Sequence, residues 1–306
     1  MSKRSRTPRR LLMAAATISV LTLALTACGS GTGSGHGSTM PGMDHGKTPS
    51  PSASADAMAS MPGMDTAATG NGLSAARDGY RMTSSTAGLP ADRSADFRFT
   101  VTGPDGKPVT DFTVDQTKRM HFYAVRTDLT GFQHLHPTMA KNGTWTAPLA
   151  ALRPGSWRLY TSFTPATGSG KGKDFVLSRT VKVSGMPMTT SLPKASGTAT
   201  VDGYTIAVKG DLMAGTARRL TATVTKNGKP VTDLQPYLET YAHLTAFHQG
   251  DLSFAHLHPE ARADGDHGGP ALTFHAEFAQ SGNWRLFLQF QTGGRLHTAA
   301  LTLHVN

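Results

Sequence analysis

Two stretches of this chain place histidines at the same spacing. Met120–Thr138, MHFYAVRTDLTGFQHLHPT, carries His121, His134 and His136. Tyr241–Glu260, YAHLTAFHQGDLSFAHLHPE, carries His243, His256 and His258, with His248 between them. In His-Leu-His the two imidazoles stand at i and i+2 and share one face of a strand. If Gln249-Gly250 is a two-residue hairpin turn, His243 on the preceding strand faces His256. Three imidazoles then converge on one patch. Imidazole is the commonest metal ligand among side chains, and a bound cation relieves the repulsion that clustered, protonated imidazoles would suffer. His297, on the final strand in GGRLHTAAL, is the candidate fourth ligand. The first stretch has Phe175 at the corresponding place, so its site reads as open, with Asp174 or Met139 as substitutes. A polar hairpin inherited by duplication is the competing reading. Duplication explains the likeness of the copies, but not why histidine persists at three aligned positions while neighbours change.

The elements that carry these histidines are themselves repeated. GKPVTD at Gly106–Asp111 returns at Gly228–Asp233, and HLHP at His134–Pro137 returns at His256–Pro259. Over 106–137 against 228–259, 13 of 32 positions are identical without a gap. Asp78-Gly79-Tyr80 returns as Asp202-Gly203-Tyr204, and PGSWRLY returns as SGNWRLF. Two domains are therefore expected, 78–185 and 198–306, joined by SGMPMTTSLPKASG. Within each, short alternating segments are punctuated by Gly, Asn, Asp and Pro, with no helical period. In the second copy they are 204–208, 218–225, 241–247, 253–257, 271–278, 284–290 and 296–305. This pattern predicts an all-β chain of two tandem immunoglobulin- or cupredoxin-like antiparallel sandwiches. Trp157 and Trp284 follow Gly-containing turns and are expected in the cores.

Ahead of the domains, Lys3, Arg4, Arg6, Arg9 and Arg10 precede an apolar run, Leu11–Leu25, too short to span a membrane with its flanks. Leu25-Thr26-Ala27-Cys28 resembles the lipobox of bacterial lipoproteins. That resemblance implies a signal peptide over 1–27, a lipid on Cys28, and an extracytoplasmic protein anchored to the cell membrane. An ordinary secretory signal is the alternative, and Arg9-Arg10 leaves Sec and twin-arginine export both open. Residues 28–77 read as a disordered linker of Gly, Ser, Ala, Thr and Pro. Its methionines are patterned. Met40 and Met43 sit beside His36, Asp44 and His45; Met58, Met61 and Met64 repeat the theme before Asp65. Thioethers are soft ligands that suit Cu(I), and the segment resembles the Met-rich arms of secreted copper-handling proteins. Met186 and Met188, in GMPM of the interdomain linker, form a weaker third pair.

Charge excludes one class of partner. Without the five basic residues of the signal, 25 Lys and Arg stand against 20 Asp and Glu. No basic run interleaved with aromatics occurs, so nucleic-acid binding is disfavoured.

AHL, LSFAHLHPE and GNWRLFLQFQTGGRLHTAALTLHV together resemble the bacterial secreted YtkA-like and cupredoxin-like sandwiches found near copper genes. The resemblance covers the second copy almost entirely and the first partly. It implies a metal site on His243, His256, His258 and His297, with His121, His134 and His136 as a partial counterpart. The expected function is copper buffering or delivery, as Cu(I) or Cu(II), with zinc as the alternative metal and a copper transporter or chaperone as partner. A blue-copper carrier is disfavoured because Cys28 is the only cysteine and such sites need a thiolate. Two other classes remain: a zinc or copper enzyme whose open histidine site activates water, and a structural or adhesion module without metal. Catalysis is the less expected, since only Glu260 lies near enough to serve as a base.

Overall fold

The computed structural model describes residues 70–306, and their regular structure is β throughout. In the first domain the strands are β1 (Ala76–Arg77), β2 (Tyr80–Thr83), β3 (Gly88–Leu89), β4 (Ala95–Thr102), β5 (His121–Arg126), β6 (Phe132–Leu135), β7 (Thr138–Met139), β8 (Thr144–Leu149), β9 (Gly155–Phe163) and β10 (Phe175–Val183). In the second they are β11 (Thr198–Val201), β12 (Tyr204–Lys209), β13 (Arg218–Lys226), β14 (Lys229–Pro230), β15 (Ala242–His248), β16 (Phe254–Pro259), β17 (Ala271–Ala276), β18 (Gly282–Thr292) and β19 (Arg295–Val305). The chain is thus two tandem immunoglobulin-like sandwiches.

Alternation builds each sandwich. In β4, Phe97, Phe99 and Val101 point inward while Arg98 and Thr100 point out. The first domain packs sheet β1-β2-β4-β8-β7 against sheet β3-β10-β9-β5-β6. In the second, β16 turns the corner between the layers, pairing with β15 on one side and with β17 on the other, so one sheet folds over on itself. Trp157 and Trp284 are both core residues. Each indole Nε1 donates to the carbonyl four residues earlier, on Arg153 and Gln280.

Two strands break the alternation, and they locate the site. β5 is buried at all six positions, and β15 at all but its last. A strand buried on both faces needs a covering layer on its second face. Here that layer is the other domain. Tyr123, Val125 and Tyr160 of the first domain pack with Phe247, Phe254 and Phe287 of the second in a third apolar cluster. Phe132 stacks on Phe287 at 4.1 Å, and Tyr160 meets Phe254 at 5.8 Å. Phe132 and Phe254 occupy equivalent repeat positions, as do Tyr160 and Phe287, so one contact is made twice with exchanged roles. Aromatic pairs of this kind are worth about 0.5–1.5 kcal/mol beyond their burial.

Residues 70–77 correct the expected linker boundary. They belong to the fold, threaded along the seam between the domains. Asn71 accepts from Phe254 N–H at 2.9 Å, and Ser74 accepts from Ser178 N–H at 2.9 Å. Leu73 packs on the interdomain cluster, and a Cβ on Gly72 would lie 2.9 Å from Val176 and 3.1 Å from Phe254. The rest of the expected linker, with Met40, Met43, His45, Met61 and Met64, and Cys28 with it, lies outside the described residues.

Candidate metal centre

The hairpin register comes first, because it aims the imidazoles. Phe247 opposes Phe254 and Leu244 opposes Leu257, so the turn spans four residues and not two. Asp251 holds it: its carboxylate accepts from Ser253 N–H, Ser253 Oγ and the His248 ring. Thr245, not His243, therefore opposes His256. The shift is by two residues, so every side chain keeps its expected face. His256 is placed by its backbone alone. The first domain has the same register, with Tyr123 opposite His134.

Faces decide which histidines meet. His121, His134 and His136 turn away from their own core and into the seam, and His243 meets them there from the other domain. One nitrogen each from His121, His134 and His243 lies within 4.8 Å of the others, and all three residues are buried. His121 and His243 stack nearly parallel, 7° apart with centroids at 5.6 Å. The His136 ring lies 5.1 Å from His121 and 4.7 Å from His134. Separate sites in each domain were expected; this cluster draws on both.

Hydrogen-bond partners assign the tautomers. His121 Nε2 donates to the Asp115 carbonyl at 3.2 Å, which leaves a lone pair on Nδ1. Gln289 donates from Nε2 to Thr298 Oγ1 and so presents Oε1 to His134; His134 Nδ1 donates to it at 2.7 Å, leaving a lone pair on Nε2. Likewise His243 Nδ1 donates to Gln116 Oε1 at 2.9 Å, and its Nε2 accepts from the Tyr123 hydroxyl at 3.2 Å. Three imidazole nitrogens converge, with the Tyr123 hydroxyl bonded to that of His243. Two of them, His121 Nδ1 and His134 Nε2, face each other at 3.1 Å. Nitrogens bound to zinc at about 2.0–2.1 Å in a tetrahedron stand about 3.3 Å apart. Nε2 of His136 is buried without a hydrogen-bond partner. The donor set therefore fits a cation that takes imidazole ligands.

Burial keeps these rings neutral. It pushes His134 well below the usual histidine range, with further lowering by His121 and His136. Burial, then His121 and Lys118, brings His136 down to about 3. Burial also lowers His121, against Asp115. Neutral imidazole is the form that ligates.

His258 lies to one side. Its backbone pairs with His275, and its side chain borders a cleft of about 280 Å³. His121, Asp115, Lys118, Asp174 and Glu277 line the same cleft, as do Gly70 and Asn71 of the strap.

His297 is elsewhere, which corrects its expected place in the shell. It opposes Phe290 in the β18–β19 pairing, and opposed residues share a face. That face is the second domain's own core, with Ala299 and Leu301. Its Nδ1 bonds Asp202 Oδ2 at 2.8 Å and its Nε2 bonds Thr292 Oγ1 at 3.1 Å. Phe175 opposes Phe163 in the matching place and is likewise core. Met139 packs against the first domain's core and Asp174 accepts from Thr164, so neither joins the cluster. Gln116, Gln289 and Tyr123 were not anticipated. Only Gln289 leaves a trace in the sequence, since it stands directly across from His243 once β15 and β18 are paired.

A family described as a domain of unknown function, DUF8832, matches twice, over residues 75–183 and 199–306. No curated protein matches. Among solved structures, the chain is similar to the Escherichia coli adhesin FdeC, at 14% identity over 76% of this chain with a TM-score of 0.24; it spans only 65% of that chain. Yersinia pseudotuberculosis InvD matches at 15% identity over 74% of this chain and 57% of its own, TM-score 0.23. The Ig1-2 module of the Drosophila receptor tyrosine phosphatase DLAR matches at 9% identity over 74% of this chain and 98% of its own, TM-score 0.21. None of these likenesses bears on function.

Proposed function

The chain belongs to the DUF8832 family, with two tandem copies of its domain, and we propose that it is an extracytoplasmic, lipid-anchored metal-binding protein that holds its ion between those copies. One observation carries this reading: one nitrogen each from three buried imidazoles of two domains lies within 4.8 Å of the others, with His121 Nδ1 and His134 Nε2 3.1 Å apart. A cation bound there would draw these nitrogens to itself as ligands. His121, His134 and His243 would hold it, and His136, whose ring lies 4.7 Å from that of His134, is the candidate for a fourth bond. Bound there, the ion would act as a clamp across the seam.

Copper is the metal proposed, because imidazole suits it and Cu(II) tops the divalent series, and because the Met-rich arm suits Cu(I). Buffering or delivery would follow from the burial: an ion held there would be enclosed, beside the cleft that His121 lines. Copper transporters or chaperones are the proposed partners.

Metal analysis of untagged full-length protein tests this, followed by competition titration with Cu(II) and Zn(II). One tightly held copper, lost in His121→Ala and His243→Ala alike, is the expected result. Zinc with hydrolytic turnover would favour an enzyme. Failure to bind either metal would leave a structural module.

A further inference from the structure

The interdomain linker carries a feature that the imidazole cluster does not use. Met186 and Met188 are 88% and 82% exposed, against 39–56% for the other exposed large hydrophobics of the described residues. At that exposure neither side chain packs against the fold, so both sulfurs are open to solvent. Their backbone is not left loose. Arg126, itself buried, donates from Nη2 to the Met188 carbonyl at 2.8 Å and to the Pro154 carbonyl at 2.9 Å. Asp128 pairs with the same guanidinium. A buried cation is costly unless fully partnered, and this one spends a hydrogen bond on fixing the backbone of the linker. Pro187, between the methionines, sets its own φ and biases Met186 towards an extended conformation.

Methionine placement along the chain points the same way. Of the eleven methionines after Cys28, Met40, Met43, Met58, Met61 and Met64 fall in the expected N-terminal linker, and Met186, Met188 and Met213 in segments between strands. Met82, Met120 and Met139 are the ones engaged with a core.

We propose that Met186 and Met188 form a surface site for a soft monovalent cation, Cu(I), separate from the buried imidazole cluster. The thioethers supply the soft donors. The pinned backbone lowers the ordering cost of bringing them together. This goes beyond the proposed function, because it rests on different residues, different donor chemistry and an exposed position.

The test uses full-length protein labelled at the methionine methyls and titrated with Ag(I), a redox-inert stand-in for Cu(I). Signals of Met186 and Met188, assigned by the Met186→Leu and Met188→Leu variants, should move in the first additions, while those of Met82 and Met120 stay put. Zn(II) should move neither exposed signal. In a Cu(I) competition with a chromophoric chelator, the double variant should take up about one equivalent less. Unmoved Met186 and Met188 signals, or unchanged Cu(I) uptake by the double variant, overturn the proposal. His121→Ala and His243→Ala report on the buried cluster alone, so each idea can fail without the other.

Discussion

Replacing His243 by alanine separates a shared site from two separate ones. His243 belongs to the second domain, yet its ring closes a cluster otherwise built from the first. Its loss removes one of three converging nitrogens. A hydrogen bond that merely supports a ligand is worth about 10–100-fold in metal affinity, so losing the ligand itself should cost about 100-fold or more. The metal-free protein should also suffer. Tyr123 is fully buried and would lose the acceptor of its hydroxyl, and an unsatisfied buried donor costs about 1–3 kcal/mol. His297→Ala is the matched control. It removes an equally buried imidazole from the same domain, but from the core face, where Asp202 and Thr292 are its partners. It should lower stability and leave affinity unchanged. Chelator competition with Cu(II) and Zn(II), with denaturant unfolding of the metal-free forms, gives both readouts. Equal affinity losses in the two variants would refute the face argument, and a silent His243→Ala would refute the shared site.

Gln289→Leu should weaken metal binding about 10-fold or more without touching a ligand, because it releases His134 Nδ1 from its acceptor; an unchanged affinity in competition titration would remove Gln289 from the support of the site. Acid should destabilise the metal-free protein. Burial holds His134, His121 and His136 below the unfolded value of 6.5, so below that pH the unfolded chain binds more protons than the folded one. Stability is then full above 6.5 and falls as pH drops towards the value of about 3 for His136; a flat denaturation midpoint across this window contradicts the burial argument. Deleting residues 70–75 should lower the melting temperature, since the strap bonds to both domains, whereas deleting 29–69 should lower Cu(I) stoichiometry and leave that temperature alone. Cys28→Ser should move the protein out of the membrane fraction with both domains folded; unchanged fractionation would end the lipoprotein reading.

Much of the fold was legible because its cause is local. Alternation of period two marks β4, β13 and β19 as strands with one inner face, and the repeated GKPVTD and HLHP segments mark two copies of one domain. His-Leu-His likewise puts two imidazoles on one face whatever the hairpin length, so a turn two residues longer than expected shifted partners without changing faces. The place of His297 was legible too. In LHTAALTLHV it alternates with Ala299, Leu301 and Val305, all core residues, and that periodicity outweighs a likeness of motif. The cluster itself was not legible. It needs His243 to meet His121 and His134 across an interface between residues more than a hundred positions apart, and no local period encodes such a contact. Its trace in the sequence was indirect: HFYAV and AHLTAF are apolar on both faces, as strands covered twice must be. Only the docking of the two sheets chose which histidines face one another. Only that docking brought Gln289 to His134 and Gln116 to His243, and so set which nitrogens keep a lone pair for a metal.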